Sequence, residues 1–274
     1  MSSSFPVYCA LVSLFCFACS SFLSSCSENV SATGTDAFSA SVVEALLPSN
    51  GLNVAGKQRT YMESRPPAVD LDTVVIHHIS AINWDRKDSG IPQEIKEKYR
   101  ELAEGLSPDE RAFSPELCRA ILEAFGFSAH YLIDRDGRIF SLVPENMVAY
   151  HAGKSKMPEG DGRESVNGFS IGIELVALHP DNYERLEQRE GGEGYTDAQY
   201  RSLQHLLGGI ITRHPVTQIV GHDEIAGEKA MRLGLRTTPK SDPGPDFEWE
   251  QIRDSERSPL EALEIEDVGA GSLE

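Results

Sequence analysis

Short β-branched runs alternate with longer amphipathic stretches along residues 73–221, and this alternation constrains the fold more than any other feature of the sequence. Residues 73–77 read T-V-V-I-H, a run typical of a short buried strand. Further on, the apolar residues 131–133 and 139–143 flank the segment D-R-D-G-R, residues 134–138. An Asp-Gly pair between apolar runs is typical of a β-hairpin. The sequence therefore predicts one strand followed by an antiparallel pair.

Two more strands and three helices complete the predicted pattern. Residues 169–176 alternate in polarity, and residues 218–221 form another short β-rich run. Residues 94–104 and 115–125 carry apolar positions at helical spacing, and residues 195–213 begin with a Thr-Asp cap and continue as an amphipathic helix. This order of elements predicts a central mixed β-sheet flanked by helices in a single α/β domain of about 180 residues.

The first 26 residues contain four of the five cysteines, so the chain has no disulfide framework. Residues 6–23 are apolar, uncharged and followed by small residues, which is the layout of a signal peptide. The end of this segment, L-S-S-C, resembles a bacterial lipobox with Cys26 as the lipidated residue. We predict a signal peptide at residues 1–25 and a lipid anchor at Cys26. Plain secretion and a cytosolic protein with an apolar tail are the alternatives.

Composition divides the remaining chain into three segments. Residues 26–69 are rich in small and polar residues and predict a tether, residues 70–253 hold the dense pattern of the domain, and residues 254–274 predict an acidic flexible tail. The formal net charge of −18 argues against nucleic acid and against a bare anionic membrane as partners. We therefore expect an exported, periplasmic monomer that contacts a bacterial membrane only through its N-terminal lipid anchor.

Polar residues gather at the ends of two predicted strands and in one loop. His77 and His78 close the first strand, His222 follows the last one, and the loop 240–245 reads K-S-D-P-G-P. Imidazole and carboxylate groups are suited to zinc, and catalytic zinc sites leave one position for water. Two of these histidines and Asp242 would make such a set. Spacing alone leaves open the alternative that they are ordinary core histidines.

Seven segments together carry a resemblance to a known family. They are V-V-I-H-H (74–78), S-A-H-Y-L-I-D-R-D-G (128–137), H-A-G (151–153), N-G-F-S-I-G-I-E-L (167–175), Y-T-D-A-Q (195–199), G-H-D-E-I-A (221–226) and K-S-D-P-G-P (240–245). In this order they resemble the type 2 N-acetylmuramoyl-L-alanine amidases, the AmpD-like zinc enzymes related to peptidoglycan-recognition proteins and phage T7 lysozyme. The resemblance covers residues 70–253 and implies the amidase fold, with a central mixed sheet between helices.

The resemblance also implies the residues of the site. His77, His222 and Asp242 match the zinc ligands of the family, so the implied cofactor is Zn²⁺. Glu174, in I-G-I-E, matches the glutamate that moves the proton, and Lys240 matches the lysine that faces the developing oxyanion. The implied reaction is hydrolysis of the amide bond between the lactyl carbonyl of N-acetylmuramic acid and the L-alanine amine, in peptidoglycan or muropeptides.

Four further residues are expected to contact the substrate. Because neighbouring side chains of a strand face opposite sides, His78 is assigned to the wall of the cleft beside His77. His151 matches a loop that borders the cleft, and Asn167 lies in another matching segment. Some relatives have an arginine just before that segment, where it binds a carboxylate of the stem peptide. This chain does not, and we expect the nearby Arg163 to substitute.

The spacing of the expected ligands departs from the family pattern. Twenty positions separate His222 from Asp242, about twice the spacing of the compact members. Residues 227–238 are therefore predicted to be an insertion at the rim of the site. The metal geometry survives such an insertion, because the entropy cost of loop closure rises slowly with length.

A non-catalytic peptidoglycan-binding module with the same fold is the alternative function. Such modules usually lose a zinc ligand, whereas the three expected ligands, the glutamate and the lysine are all present here. A phage-type endolysin is disfavoured, because a lytic enzyme released in bulk has no need of an anchor. The sequence therefore favours an anchored enzyme.

Overall fold

A computed structural model of the 274-residue chain describes residues 42–44, 47, 53–54, 57–58, 60–67, 69–188 and 191–252. All of these residues belong to one compact unit. The predicted signal peptide at residues 1–25, the predicted lipidation residue Cys26 and the predicted tail at residues 254–274 lie outside them. Within the described ranges, no helix combines the length and the apolar content that crossing a membrane requires.

The described part of the chain forms short strands and helices in alternation. The strands are β1 (Val42–Glu44), β2 (Asn53–Val54), β3 (Lys57–Gln58), β4 (Met62–Ser64), β5 (Thr73–Ile79), β6 (Tyr131–Ile133), β7 (Ile139–Ser141), β8 (Met147–Ala149), β9 (Ser170–Val176) and β10 (Gln218–Gly221). The α-helices are α1 (Gln93–Lys98), α2 (Arg100–Glu104), α3 (Pro108–Phe113), α4 (Pro115–Phe125), α5 (Asp197–Arg213), α6 (His222–Ala226) and α7 (Glu228–Arg232). Short 3₁₀ helices span Val166–Gly168, Pro180–Arg185 and Trp249–Ile252.

Six of the described strands form one mixed sheet in the order β1-β7-β6-β9-β5-β10. The hairpin strands β6 and β7 are antiparallel, and every other neighbouring pair in this sheet is parallel. Helices cover the sheet, which confirms the predicted α/β domain with a central mixed β-sheet. Two described two-stranded sheets, β2-β3 and β4-β8, accompany it.

Alternation along the central strands separates two faces of the sheet. Val74 and Ile76 of β5 belong to the same core cluster as Ile171 and Ile173 of β9, together with the apolar side chains of α5. The alternate positions of both strands face the opposite side, which α4 covers. Neighbouring strands are in register, and His77 of β5 pairs with Glu174 of β9 on that second face.

The helix ends follow the local sequence closely. The Thr196 hydroxyl accepts the Gln199 N–H and the Gln199 side chain accepts the Thr196 N–H, so a capping box starts α5 where the sequence predicted it. Ser114 caps α4 through the Leu117 N–H in the same way. The single helix predicted at residues 94–104 is instead divided into α1 and α2 at Tyr99.

The fold begins earlier than the sequence predicted. Tyr61 is fully buried and its hydroxyl donates a hydrogen bond to the Glu123 carbonyl. The next residues form β4, which pairs with β8, and the Arg65 guanidinium donates to the carbonyls of Gly168 and Met147. The prediction of a tether up to residue 69 is therefore wrong for residues 61–65, because their side chains and backbone pair with distant parts of the domain.

Candidate metal centre

Three of the predicted site residues meet at one edge of the central sheet. His77 lies near the C-terminal end of β5, His222 begins α6 directly after β10, and Asp242 lies in the loop after α7. Because β5 and β10 are parallel neighbours, their C-terminal ends reach the same edge. The Asp223 N–H then donates to the Asp242 carbonyl at 2.8 Å, which fastens the loop beside α6.

The ligand atoms of these residues face one another. The Nδ1 atoms of His77 and His222 are 3.0 Å apart, and Oδ2 of Asp242 lies 3.1 Å from the first and 2.9 Å from the second. The three residues are 1%, 3% and 9% exposed. Burial opposes ionisation of Asp242, but hydrogen bonds with His222 and His77 hold the pKa of its carboxyl well below the usual range. This group of two imidazole nitrogens and one carboxylate can hold a metal ion.

The outer nitrogens of the two imidazoles also suit a metal site. Nε2 of His222 lies 3.3 Å from the Ala152 carbonyl, which can only accept, so Nε2 carries the proton and Nδ1 keeps its lone pair. Burial, and then the neighbouring His222, lower the pKa of His77 to about 4, which leaves this ring neutral at pH 7. Neutral rings that donate outward and keep their inner nitrogens free are the usual state of metal-binding histidines.

His151 lies behind His77, on the side away from Asp242. Nδ1 of His151 is 3.0 Å from Nε2 of His77, and Nε2 of His151 is 3.2 Å from the Ser170 hydroxyl. The Ser170 hydroxyl donates to the Val166 carbonyl at 2.6 Å, so the bonds run in one direction away from the metal ligands. Gly172 leaves room for the ring, because a Cβ there would lie 2.4 Å from Cγ of His151. His151 also lines the cleft of the centre, so its contact with His77 adds a supporting position to the expected substrate contact, which stays a prediction.

Asn167 shapes the same loop. Its Oδ1 accepts the backbone N–H of His151 at 3.1 Å and that of Ala152 at 2.7 Å. Both loop residues contact metal ligands, His151 through its ring and Ala152 through its carbonyl. Asn167 is therefore placed as a support for the loop, whereas the sequence predicted a substrate contact.

Arg163 lies apart from the centre. Its guanidinium donates to Asp72 at 2.8 and 3.1 Å and to Asp161 at 2.6 and 2.7 Å. It also lies over the Phe169 ring, 3.9 Å from the ring centroid. The two carboxylates already occupy its donors, so the structure does not bring Arg163 to the site as the sequence predicted.

Glu174 lies beside the metal ligands through the register of the sheet. It pairs with His77 across β5 and β9, it is 7% exposed, and its buried Oε2 has no hydrogen-bond partner in the described chain. Burial, and then the charge of Asp242, raise the pKa of Glu174 to about 8, while Lys240 acts in the opposite direction. A carboxyl group with this pKa can exchange a proton near neutral pH.

His78 and Lys240 also border the centre. The His78 ring donates from Nδ1 to the Pro243 carbonyl at 3.2 Å, so it holds the loop of Asp242. The predicted alternation of faces fits this position, because His77 points to the metal centre and His78 does not. Lys240 is exposed, and its backbone N–H donates to the Ala226 carbonyl at 3.0 Å.

These residues line a cleft of about 620 Å³. Its lining combines the predicted residues His77, His78, His151, Glu174, His222, Lys240 and Asp242 with side chains that sequence reasoning did not assign to the site. The additional side chains include Ile121, Leu122, Phe125, Phe127, Tyr150 and Arg236. The apolar ones come from the end of α4 and the segments that follow it, and the helical pattern alone does not show which of them stay exposed. Arg236 belongs to the predicted insertion, which therefore does reach the rim of the cleft.

The sequence of the chain is similar to a known family and to named relatives. The family model described as N-acetylmuramoyl-L-alanine amidase matches residues 66–245. The 1,6-anhydro-N-acetylmuramyl-L-alanine amidase AmpD of Haemophilus influenzae is 32% identical over 203 residues, which are 72% of this chain and 89% of that enzyme. The enzyme of the same name from Citrobacter freundii is 41% identical over 130 residues, which are 46% of this chain and only 55% of that enzyme. A crystal structure of a selenomethionine AmpD derivative gives a TM-score of 0.45 at 30% identity and covers 76% of this chain and 97% of that one.

Proposed function

This chain belongs to the N-acetylmuramoyl-L-alanine amidase family, and from that premise we propose that it hydrolyses the bond between N-acetylmuramic acid and L-alanine with the help of zinc. The observation that supports the reaction most directly is the buried group of His77, His222 and Asp242 with Glu174 beside it. A module that only bound peptidoglycan would need neither the ligands nor the unpaired carboxylate. The family resemblance stated from the sequence is confirmed.

The chemistry of the donor set favours zinc among the common divalent ions. Two imidazoles and one carboxylate are a typical catalytic zinc set, whereas magnesium and calcium prefer oxygen ligands alone. When bound, zinc supplies Lewis acidity that activates water and polarises a carbonyl near neutral pH. His77, His222 and Asp242 would hold the ion, and His151 would hold His77 in its neutral form with Nδ1 turned inward.

Two side chains then perform the proton and charge steps. Glu174 takes a proton from the attacking water as the water oxygen adds to the carbonyl carbon, and it then delivers this proton to the L-alanine nitrogen as the C–N bond breaks. Its burial beside the metal ligands suits this transfer, and the charge of a bound metal ion would favour the ionised form that takes the proton. Lys240 lies on the exposed side of the cleft and donates to the oxygen on which negative charge develops.

The test uses the purified full chain loaded with zinc. We expect one zinc per chain by metal analysis. With muropeptides in both the 1,6-anhydro and the reducing form, we expect mass spectrometry to show free L-alanyl peptide and peptide-free sugar. The aligned relatives are named 1,6-anhydro enzymes, so the anhydro form is the first substrate to try. Zinc-loaded protein that binds muropeptides without cleaving any of them would favour the recognition module instead.

Glu174→Gln separates catalysis from binding within this scheme. The substitution keeps the shape of the side chain and removes its ability to take a proton. We expect turnover to fall by about 10²–10⁴-fold with zinc and substrate binding retained. Turnover near the wild-type rate would show that another group moves the proton.

We also propose that the chain is exported and anchored to a bacterial membrane through lipid on Cys26. The sequence supports this through the apolar residues 6–23 and the L-S-S-C end. Cys26→Ser is expected to move the protein from the membrane to the soluble fraction without changing the activity of the purified enzyme. A variant that still fractionates with membranes would mean that residues 6–23 remain as an uncleaved anchor.

A further inference from the structure

We propose that Arg236 binds a carboxylate of the peptide part of the substrate, an inference that rests on the proposed amidase function. Arg236 lies in the insertion between His222 and Asp242 and lines the same cleft as both ligands. The sequence had assigned this kind of contact to Arg163, which is paired elsewhere. The insertion would thus contribute to substrate specificity through Arg236.

The insertion has a defined structure, which fixes where Arg236 stands. It contains α7, and Ala230 of this helix is buried. Behind the helix, the Leu235 N–H donates to the Ala230 carbonyl at 3.1 Å, and the Lys240 N–H donates to the Ala226 carbonyl at 3.0 Å. The backbone before Arg236 is therefore tied to α7 of the same insertion, and the backbone after it is tied to α6 through Lys240.

The protein supplies hydrogen-bond acceptors for only part of the Arg236 guanidinium. Its Nε donates to the Thr238 carbonyl at 2.6 Å, which orients the group, whereas the buried Nη1 has no hydrogen-bond partner in the described chain. Arg163, in contrast, has carboxylate acceptors for all three of its nitrogens. A buried charged donor without an acceptor is costly, so a ligand that supplies the acceptor is bound favourably.

The charge of the cleft favours an anionic group at this position. Arg236 and Lys240 are its two cationic lining side chains within the described residues, and its carboxylates are the buried Glu174 and Asp242. Asp242 faces the two histidines, and its charge also acts on Arg236, but it leaves the buried Nη1 of Arg236 without an acceptor in the described chain. Cationic side chains at the rim of a cleft attract anions, even in a chain with a net charge of −18.

The chemistry of the proposed substrate then limits the partner of Arg236. The only carboxyl group of N-acetylmuramic acid is consumed in the amide that is cleaved, so the free carboxylates lie on the peptide beyond L-alanine. Lys240 is assigned to the reacting carbonyl, which leaves Arg236 for a group further along. A guanidinium can hold a carboxylate with two parallel hydrogen bonds, which a carboxamide cannot match.

Two substrates that differ only in their carboxylates test the contact. They are N-acetylmuramoyl-L-Ala-D-γ-Glu-L-Lys and the same compound with both free carboxylates, on the glutamate and on the lysine, converted to carboxamides. We expect the wild type to prefer the carboxylate form in kcat/KM by roughly 10- to 100-fold, the range of a charge-assisted hydrogen bond. Arg236→Gln should abolish this preference by raising KM for the carboxylate form, with zinc content and activity on the carboxamide form retained.

Arg232→Gln is the matched control, because Arg232 is exposed, lies in the same insertion and does not line the cleft. It should keep the wild-type preference, and Arg236→Lys should keep part of it. Equal losses on both substrates in Arg236→Gln, or a wild type without any preference, would overturn the inference while leaving the amidase function intact. If zinc-loaded wild type cleaves neither compound in the 1,6-anhydro or in the reducing form, the proposed function fails, and calorimetric binding of the two compounds to wild type and Arg236→Gln decides whether the contact exists.

Discussion

Glu174 should make the metal-free protein lose stability as the pH rises, and Glu174→Gln should remove this loss. In the unfolded chain a glutamate has its ordinary pKa of 4.5, whereas burial raises the pKa of Glu174 to about 8 in the native state. Between these values the native protein keeps a proton that the unfolded chain has released. The free energy of unfolding therefore falls as pH rises above 4.5, and the fall levels off above about pH 8.

The size of the effect follows from the same two values. A tenfold change in an ionisation constant corresponds to about 1.36 kcal/mol. The rise in the pKa of Glu174 from 4.5 to about 8 therefore limits the fall in the free energy of unfolding to about 5 kcal/mol. Relaxation and water entry reduce this limit, and we expect a change of about 2–4 kcal/mol between pH 5 and pH 9. Glu174 is 7% exposed, so screening by solvent does not remove this change in the free energy of unfolding.

Urea unfolding of chelator-treated protein at pH 5, 7 and 9 measures this change. The wild type should become progressively less stable than Glu174→Gln as the pH rises, whereas Glu101→Gln, on the exposed side of α2, should follow the wild type. Zinc should flatten the wild-type curve, because a nearby positive charge favours the ionised carboxylate. Parallel curves for metal-free wild type and Glu174→Gln would refute the reasoning, since Glu174 would then be ionised in the native state.

Three further predictions concern the centre and its support. His222→Ala should abolish zinc binding and hydrolysis and leave the secondary structure unchanged by circular dichroism; a full equivalent of zinc in this variant would point to other ligands. His151→Phe removes the acceptor for His77 and should weaken zinc binding by about 10- to 100-fold in chelator competition, with a smaller loss for Ser170→Ala; unchanged affinity in both would contradict the support role. Thr196→Ala removes the cap of α5 and should lower the free energy of unfolding by about 1 kcal/mol with zinc affinity unchanged, and a denaturant titration that shows no loss would rule out the cap.

Local patterns predicted the parts of the fold that depend on neighbouring residues. The Asp-Gly pair fixed the hairpin because Gly137 adopts a φ of 82° and a Cβ there would lie 2.7 Å from the Ala198 carbonyl. Thr196 and Ser114 marked the starts of α5 and α4 because a hydroxyl satisfies the free N–H groups of a first turn. The β-branched run that begins at Thr73 predicted β5, which continues to Ile79.

Contacts between distant residues were the part that local patterns could not predict. Tyr61 belongs to the core through a hydrogen bond to a residue 62 positions away, and the small polar residues around it are typical of a tether. His151 lines the cleft as predicted, but its loop position in the sequence gives no sign that its ring also contacts His77. The same limit applies to Arg236, because the sequence does not show that this residue of the insertion lines the cleft.

The pairing of β5 with β9 fixes the relative positions of His77 and Glu174. His77 and Glu174 are opposite each other because backbone hydrogen bonds fix the register, and a slip of one residue would turn one of them toward α5. The spacing between His77 and Glu174 is therefore set by the pairing of two largely buried strands. Segments outside these strands, such as residues 227–238 with α7, can change in length and charge without disturbing this spacing. Substrate preference and catalytic geometry can consequently change independently of each other over the history of such a protein.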